Sequence, residues 1–400
     1  MRTRNRRRRV ALVVPRAGSE VFGGAEAFCL TVAHELARDW DIEIITTCAA
    51  EYGTWADYYP PGLSSIEGIP AHRFRVDEPR DIPAFDRLSR SLRYRLASLT
   101  LDEQEAWMKA QGPYSTDLLR HLVDAREDYD AFFFFTYLYA TTYFGLPLVR
   151  DRAFLVPLAH DEWPFYLPAW QHFFSYPQGF VFVSQEEREF VGGHIRERNI
   201  NGPLCYAPIH APLPRNAADT FRARYDITTP FMLYVGRIDE SKGCRELCER
   251  FDSYAAAPGA RPLTLVLAGP LESELPASQH VRCIGPLDEA SKWEALRSCD
   301  IFAMPSRHES LSLALLEAWA CGRPAIVNGD SRVLIGQCRR SNGGLWYRDQ
   351  ATFDVVVNAL TTDVARTLGR QGREYVSRVP GSGNVVEAFS TPLLALNRQR

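Results

Sequence analysis

The 400-residue sequence contains nine cysteines but no C-x-x-C pair. That spacing argues against a zinc site and for reduced, buried thiols in a cytosolic protein, with Cys244 and Cys248 one helical turn apart. No convincing D-x-D metal motif is present, and no solenoid repeat. No basic stripe runs through the body of the chain, which leaves nucleic-acid binding without support. The apolar run Val10 to Val14 is too short for a signal peptide and lacks a cleavage site. The charge-free stretch 131–149 is long enough to raise the question of a membrane span, but its tyrosines, threonines, Gly145 and Pro147 favour a buried strand followed by a turn.

The composition is that of a folded protein with room for two cores: 46% hydrophobic and 24% charged. Arg2, Arg4, Arg6, Arg7, Arg8 and Arg9 supply +6 of a net charge of −3, leaving −9 on the rest. This head reads as a disordered, solubilising start, with contact to anionic lipid as the alternative. Strand-like apolar runs alternate with helical patterns throughout, which predicts an α/β fold with two open sheets. A proline-rich segment, Pro208 to Pro214, marks the linker. The expected division is 1–212, 213–379 and a tail, 380–400, that crosses back to the first domain.

Two stretches of the second half carry chemistry. Pro305 to Pro324, PSRHESLSLALLEAWACGRP, reads as the end of a strand, a polar loop and a helix starting at Ser310. Glu309 stands in the loop and Glu317 two turns into an apolar helix. The backbone N–H groups of Ser310, Leu311 and Ser312 at a helix start favour phosphate. A buried Glu317 needs donors, which Arg307, Arg323 or the hydroxyls of a bound ribose would supply. Upstream, the strand Phe231 to Val235 runs into Gly236-Arg237-Ile238-Asp239-Glu240-Ser241-Lys242-Gly243, which brings two cations to one turn.

The E-x7-E spacing with EAWACGRPAI, together with GRIDESKG, resembles the retaining glycosyltransferases of family 4 (glycosyl transferases group 1), which have the GT-B fold. The resemblance implies two Rossmann-like domains facing across a cleft, the donor held mainly by the second and the acceptor by the first. It implies that Glu309 contacts the transferred sugar, Glu317 the ribose, the amides of Ser310, Leu311 and Ser312 a phosphate, and Arg237 with Lys242 the diphosphate. Many members read EGFGL where this chain reads ESLSL. Asn342-Gly343-Gly344-Leu345 resembles a turn near the nucleotide.

In the first half, Gly23-Gly24-Ala25-Glu26 opens a helix after the first strand. GGAE also resembles the family pattern, which implies donor or acceptor contact for Gly24; Glu26 reads as a first-turn helix residue. His160 and Asp161 follow the strand FLVPL, at the edge where α/β sheets place ligands. The resemblance implies that His160 meets the transferred sugar, while Asp161 either orients it or caps the next turn. The stretch Tyr52 to Pro70 reads as a long loop, 81–128 as mostly helical with Leu88, Leu92, Leu96 and Leu99 in one stripe, 131–139 as a strand, and 179–184 and 204–208 as the last strands of this half.

The expected activity is metal-independent transfer, with retention, from a nucleotide-diphosphate sugar to a saccharide or lipid-linked acceptor, as in polysaccharide biosynthesis. No cofactor is expected beyond that donor. The expected setting is cytoplasmic, with peripheral contact at the inner membrane face. The rivals are a GT-B-like nucleotide-sugar epimerase or hydrolase, and a non-catalytic nucleotide-sugar-binding module.

Overall fold

A computed structural model describes residues 7–21, 23–196, 198–212, 218–379 and 382–397. Arg2, Arg4 and Arg6 lie outside the described residues. The chain divides into two compact units, residues 1–207 with 380–400, and residues 208–379.

The first unit is a seven-stranded sheet of β1 (Arg9–Val13), β2 (Asp41–Thr47), β3 (Gly62–Ile66), β4 (Ile69–Phe74), β5 (Ala131–Phe135), β6 (Ala153–Val156) and β7 (Gly179–Phe180), in the order β3-β4-β2-β1-β5-β6-β7. All neighbours are parallel except the β3–β4 hairpin. β1, β5 and β6 are contiguous apolar runs because both faces are covered, and Phe132, Phe133, Phe134 and Phe135 are all fully buried. Helix Ser382–Asn397 belongs to this unit and sets the Phe389 ring 4.8 Å from that of Phe133. Asn384 accepts a hydrogen bond from the Tyr206 amide at 2.7 Å.

Several elements depart from the sequence expectation. The arginine head is attached from Arg7 onward: Arg7 donates to the Arg38 carbonyl, Arg8 lies over Trp40, and Arg9 opens β1 and pairs with Glu43 at 3.0 Å. The expected loop 52–70 contains β3 and the start of β4, joined by Glu67 and Gly68, both at positive φ (49° and 87°). The helical stretch is broken into helices Ile82–Arg93, Leu101–Gln111 and Thr116–Asp124. The second is started by a Thr100–Glu103 capping box and the third by the Ser115 cap. β5 stops at Phe135 because Thr136 turns to φ 71°. Phe182 and Leu204 form a single bridge instead of longer strands.

The second unit is a fully parallel six-stranded sheet of β8 (Phe231–Val235), β9 (Thr264–Ala268), β10 (Val281–Cys283), β11 (Ile301–Met304), β12 (Ala325–Asn328) and β13 (Gly344–Tyr347), in the order β10-β9-β8-β11-β12-β13. Its helices include Cys244–Ala255, Glu289–Ser298, Leu313–Ala320, Arg332–Ser341, Gln350–Leu360 and Asp363–Arg378. Trp319 is fully buried and donates from Nε1 to the Gly343 carbonyl at 2.9 Å. Gly343 and Gly372 lie against that ring with no space for a Cβ. All nine cysteines are free, and eight are buried, with Cys283 exposed. Among the described residues no helix is long and apolar enough to cross a membrane.

Candidate donor site

In the second sheet the chain leaves β8 for β9 on one side and later returns to fill β11 on the other. The loops that leave the carboxyl ends of β8 and β11 therefore diverge from adjacent strands. Such a switch point is where open α/β sheets leave a crevice for ligands. Both motif loops of the second half start there.

The β8 loop is built around Arg237. Gly236, at φ 149°, lets the chain turn, and the buried Tyr234 hydroxyl donates to the Arg237 carbonyl at 2.6 Å. Burial pushes the Tyr234 phenol well up, so it stays a neutral donor. The Arg237 guanidinium pairs with Asp239 at 3.1 Å and reaches Glu272 at 3.7 Å. Asp239 also accepts from the Lys242 amide at 2.9 Å and the Ser241 hydroxyl at 2.6 Å. One carboxylate thus ties the Arg237 guanidinium to the backbone at Lys242.

The β11 loop meets it through Lys242, whose Nζ is 2.9 Å from Glu309 Oε1. Behind this pair the two backbones nearly touch. Gly243 is left-handed (φ 75°), and a Cβ on it would stand 2.6 Å from the Pro305 carbonyl oxygen. The same carbonyl accepts from Asn328 Nδ2 at 2.9 Å, and Asn328 Oδ1 accepts from the Asp330 amide at 2.9 Å. The ends of β11 and β12 are bonded to each other at Pro305, and the start of the helix Cys244–Ala255 lies against them.

The helix after Glu309 begins later than its pattern suggests. It spans Leu313–Ala320, with Ser312 as its cap accepting from the Leu315 amide at 3.3 Å. Ser310 and Leu311 belong to the loop before it because the Ser312 hydroxyl, not a glycine turn, sets the start. Leu311 packs against the core of the unit.

Glu317 finds neither Arg307 nor Arg323. Its Oε1 is 2.7 Å from Nζ of Lys292, on helix Glu289–Ser298, and the same ammonium is 2.9 Å from Glu289. Arg307 turns to Glu246 instead, at 3.1 Å, and Arg323 donates to the Arg297 carbonyl. Burial raises the Glu317 carboxyl above its ordinary range against the pull of Lys292. Burial also works against the Lys292 charge, but Glu317 and Glu289 outweigh it and raise the ammonium.

The remaining sequence candidates lie in the first unit. Gly24 is the first residue of helix Gly24–Leu36, after β1, with open space where a Cβ would stand. Glu26, in the first turn, pairs with the buried Arg16 at 2.6 Å, and Arg16 also donates to the Ala50 carbonyl at 2.8 Å. His160 follows β6. The carboxylate facing it is Glu162, 3.4 Å from Nδ1, and Glu162 accepts from the Tyr137 hydroxyl at 3.2 Å. Asp161 instead accepts from the Tyr166 hydroxyl at 2.7 Å. Arg237, Lys242 and Glu309 are thus brought together; Glu317 is held separately by Lys292; Gly24, His160 and Asp161 stand on the other sheet. Asp239 pairs with the basic turn, as the alternative reading of that segment as an ion-paired turn has it; Asn328, Lys292 and Glu162 were not singled out from sequence. Of these three only Glu162 carried a signal, as an acid inside the segment that holds His160.

The fold has counterparts among solved structures. Sucrose-phosphate synthase from Thermosynechococcus elongatus superposes with a TM-score of 0.70 at 17% identity, over 98% of this chain and 100% of that one. The Anabaena protein HepE, solved with UDP-glucose, gives 0.68 at 14% identity over 97% and 99%. The fold is GT-B. Residues 229–357, within the second unit, match the family model described as Glycosyl transferases group 1.

Among curated proteins, D-inositol 3-phosphate glycosyltransferase of Jonesia denitrificans is 34% identical over 111 residues, 24% of this chain and 26% of that protein. The 2-deoxystreptamine N-acetyl-D-glucosaminyltransferase of Streptomyces fradiae is 28% identical over 171 residues, 37% and 40% of the two lengths. The matched stretches span a quarter to two fifths of these relatives.

Proposed function

We propose that the protein is a retaining glycosyltransferase that moves a sugar from a nucleotide-diphosphate donor to a saccharide or lipid-linked hydroxyl acceptor. The observation that carries the reading is the 2.9 Å Lys242–Glu309 pair, which joins the β8 and β11 loops at the switch point of the second sheet. The matches to named glycosyltransferases support it.

Breaking the bond between the anomeric carbon and the diphosphate puts negative charge on phosphate oxygens. Arg237 and Lys242 meet that charge in place: Asp239 holds the Arg237 guanidinium and the Lys242 backbone, and Glu309 holds the Lys242 ammonium, so little reorganisation is needed as it develops. Lys242 exchanges part of its contact with Glu309 for phosphate, and Glu309 then accepts from sugar hydroxyls. Glu317, held by Lys292 at one oxygen, offers the other to the ribose. Two protein cations supply the positive charge, so the reading requires no metal. The departing phosphate takes the acceptor proton in a same-face substitution. His160, on the first sheet, takes part in the transfer step.

The test is product analysis. UDP-, GDP-, ADP- and TDP-sugars are incubated with a panel of saccharide and lipid-linked acceptors, with and without EDTA. A new glycoside with the donor's anomeric configuration, formed equally with EDTA, is expected. Free sugar or an epimer in place of a glycoside contradicts transfer, and loss of product in EDTA contradicts metal independence.

A further inference from the structure

The donor chemistry leaves one deeply buried acid without a task. Glu187 is 1% exposed and is the third residue of helix Gln185–His194, which Ser184 caps. A carboxylate at that position ordinarily turns back to the cap residue's own amide. Glu187 does more. Its Oε2 accepts from the Val183 amide at 2.8 Å and its Oε1 from the Ala159 amide at 2.9 Å, and the amides of Leu158 and Ser184 also donate to it. The side chain therefore bridges the segment after β7 to the turn after β6.

That turn is under strain. Leu158 is left-handed (φ 49°), a conformation that glycine adopts freely and leucine does not. It persists only where surrounding bonds hold it. The next residues are Ala159, 1% exposed and bonded to Glu187, and then His160. Beyond them the Glu162 amide donates to the His160 carbonyl at 2.9 Å, which closes the turn on the far side. Burial pushes the Glu187 carboxyl up to about 8 although four backbone N–H groups favour its charge, so it is placed there at a cost in solvation.

We propose that Glu187 is a positioning residue for His160: by gripping the amides of Leu158 and Ala159 it holds the strained turn that fixes where the imidazole stands on the sheet edge. The relevance of this to catalysis rests on the reading of His160 as a participant in the transfer. The grip itself lies entirely within the first unit.

The test is the isosteric Glu187→Gln, which replaces one acceptor oxygen by a donor facing backbone N–H groups. The folded variant is expected to keep the donor KM within threefold and to lose at least tenfold in kcat. In a His160→Ala background the same change is expected to cost less than threefold, since nothing remains to be positioned. The His160 ring signals in the NMR spectrum are expected to shift. Unchanged kcat, or equal losses in both backgrounds, overturns the proposal. If the wild type transfers no sugar at all, the functional reading fails on its own, and the ring signals decide: His160 signals unmoved in Glu187→Gln overturn the positioning claim. Should the variant not fold, amide hydrogen exchange in the wild type decides instead. Leu158 and Ala159 amides that exchange slowly, as held groups do, support the grip, and exchange at open-loop rates overturns it.

Discussion

Gly243→Ala tests the junction behind the donor site with a change of one methyl group. Two costs add. The first is the left-handed backbone, φ 75°, which an L residue adopts at about 1–2 kcal/mol. The second is overlap: the new Cβ would stand 2.6 Å from the Pro305 oxygen and 3.2 Å from its carbon. Pro305 cannot retreat freely, because Asn328 holds the same carbonyl. Forced overpacking of this kind costs about 1–3 kcal/mol. The sum, about 2–5 kcal/mol, corresponds to a fall in Tm on the order of 10 °C for a unit of this size. Gly259→Ala is the control: its φ is 83° with nothing within 4 Å of the added carbon, so only the first cost applies. Thermal melts of the two variants, with calorimetry of nucleotide binding on each, separate strain from overlap. Gly243→Ala should also weaken binding, since moving Lys242 away from Glu309 opens the site. Equal melting shifts in the two variants, with binding intact, would mean that Pro305 does not crowd Gly243.

Three further perturbations have worked signs. Lys292→Met leaves the enclosed Glu317 carboxylate without its cation, at about 2–4 kcal/mol in urea unfolding. Because Glu317 already binds its proton more tightly folded than unfolded, that loss should be largest at pH 8 and shrink towards pH 5, and a pH-independent loss contradicts the pairing. Burial lowers the pKa of both His72 and His121, whose rings lie 4.7 Å apart, with the Glu43 charge partly offsetting it. Their folded forms bind fewer protons than the unfolded chain, so stability of the first unit is present above about pH 6.5 and falls below it, by at most about 1.4 kcal/mol per pH unit for each group. His121→Phe should flatten that slope in melts between pH 7.5 and 5. Gly24→Ala meets open space and should change stability by less than about 0.5 kcal/mol. If the loop backbone approaches a ligand, the same methyl should reduce turnover without moving Tm.

Much of the second unit was legible because parallel strands buried on both faces are written as contiguous apolar runs. Phe231–Val235 has the bounds its run suggests. The β3–β4 hairpin was hidden by its edge position: Ser64, Ser65 and Pro70 dilute the alternation, and only Glu67-Gly68 marked the turn. The motif loops placed Arg237, Lys242 and Glu309 in one region because both follow adjacent strands. The partner of Glu317 was not legible. Lys292 sits 25 residues away in a different helix, and which of several nearby cations reaches a buried carboxylate depends on how helices pack. Glu162 was overlooked beside His160 because Asp161 is adjacent in sequence, whereas the turn directs Asp161 to Tyr166.

In the proposed function the loops joined by Lys242 and Glu309 hold the diphosphate of a nucleotide sugar. Calorimetry of UDP, GDP, ADP and TDP and their sugars, without divalent metal, tests it on the wild type, Lys242→Met and Arg237→Met. One nucleoside diphosphate series is expected to bind, and each substitution to weaken it by at least tenfold, as loss of a charge-assisted contact of about 1.5–3 kcal/mol implies. Binding that is indifferent to both substitutions, or no binding by any member of the panel, would contradict it.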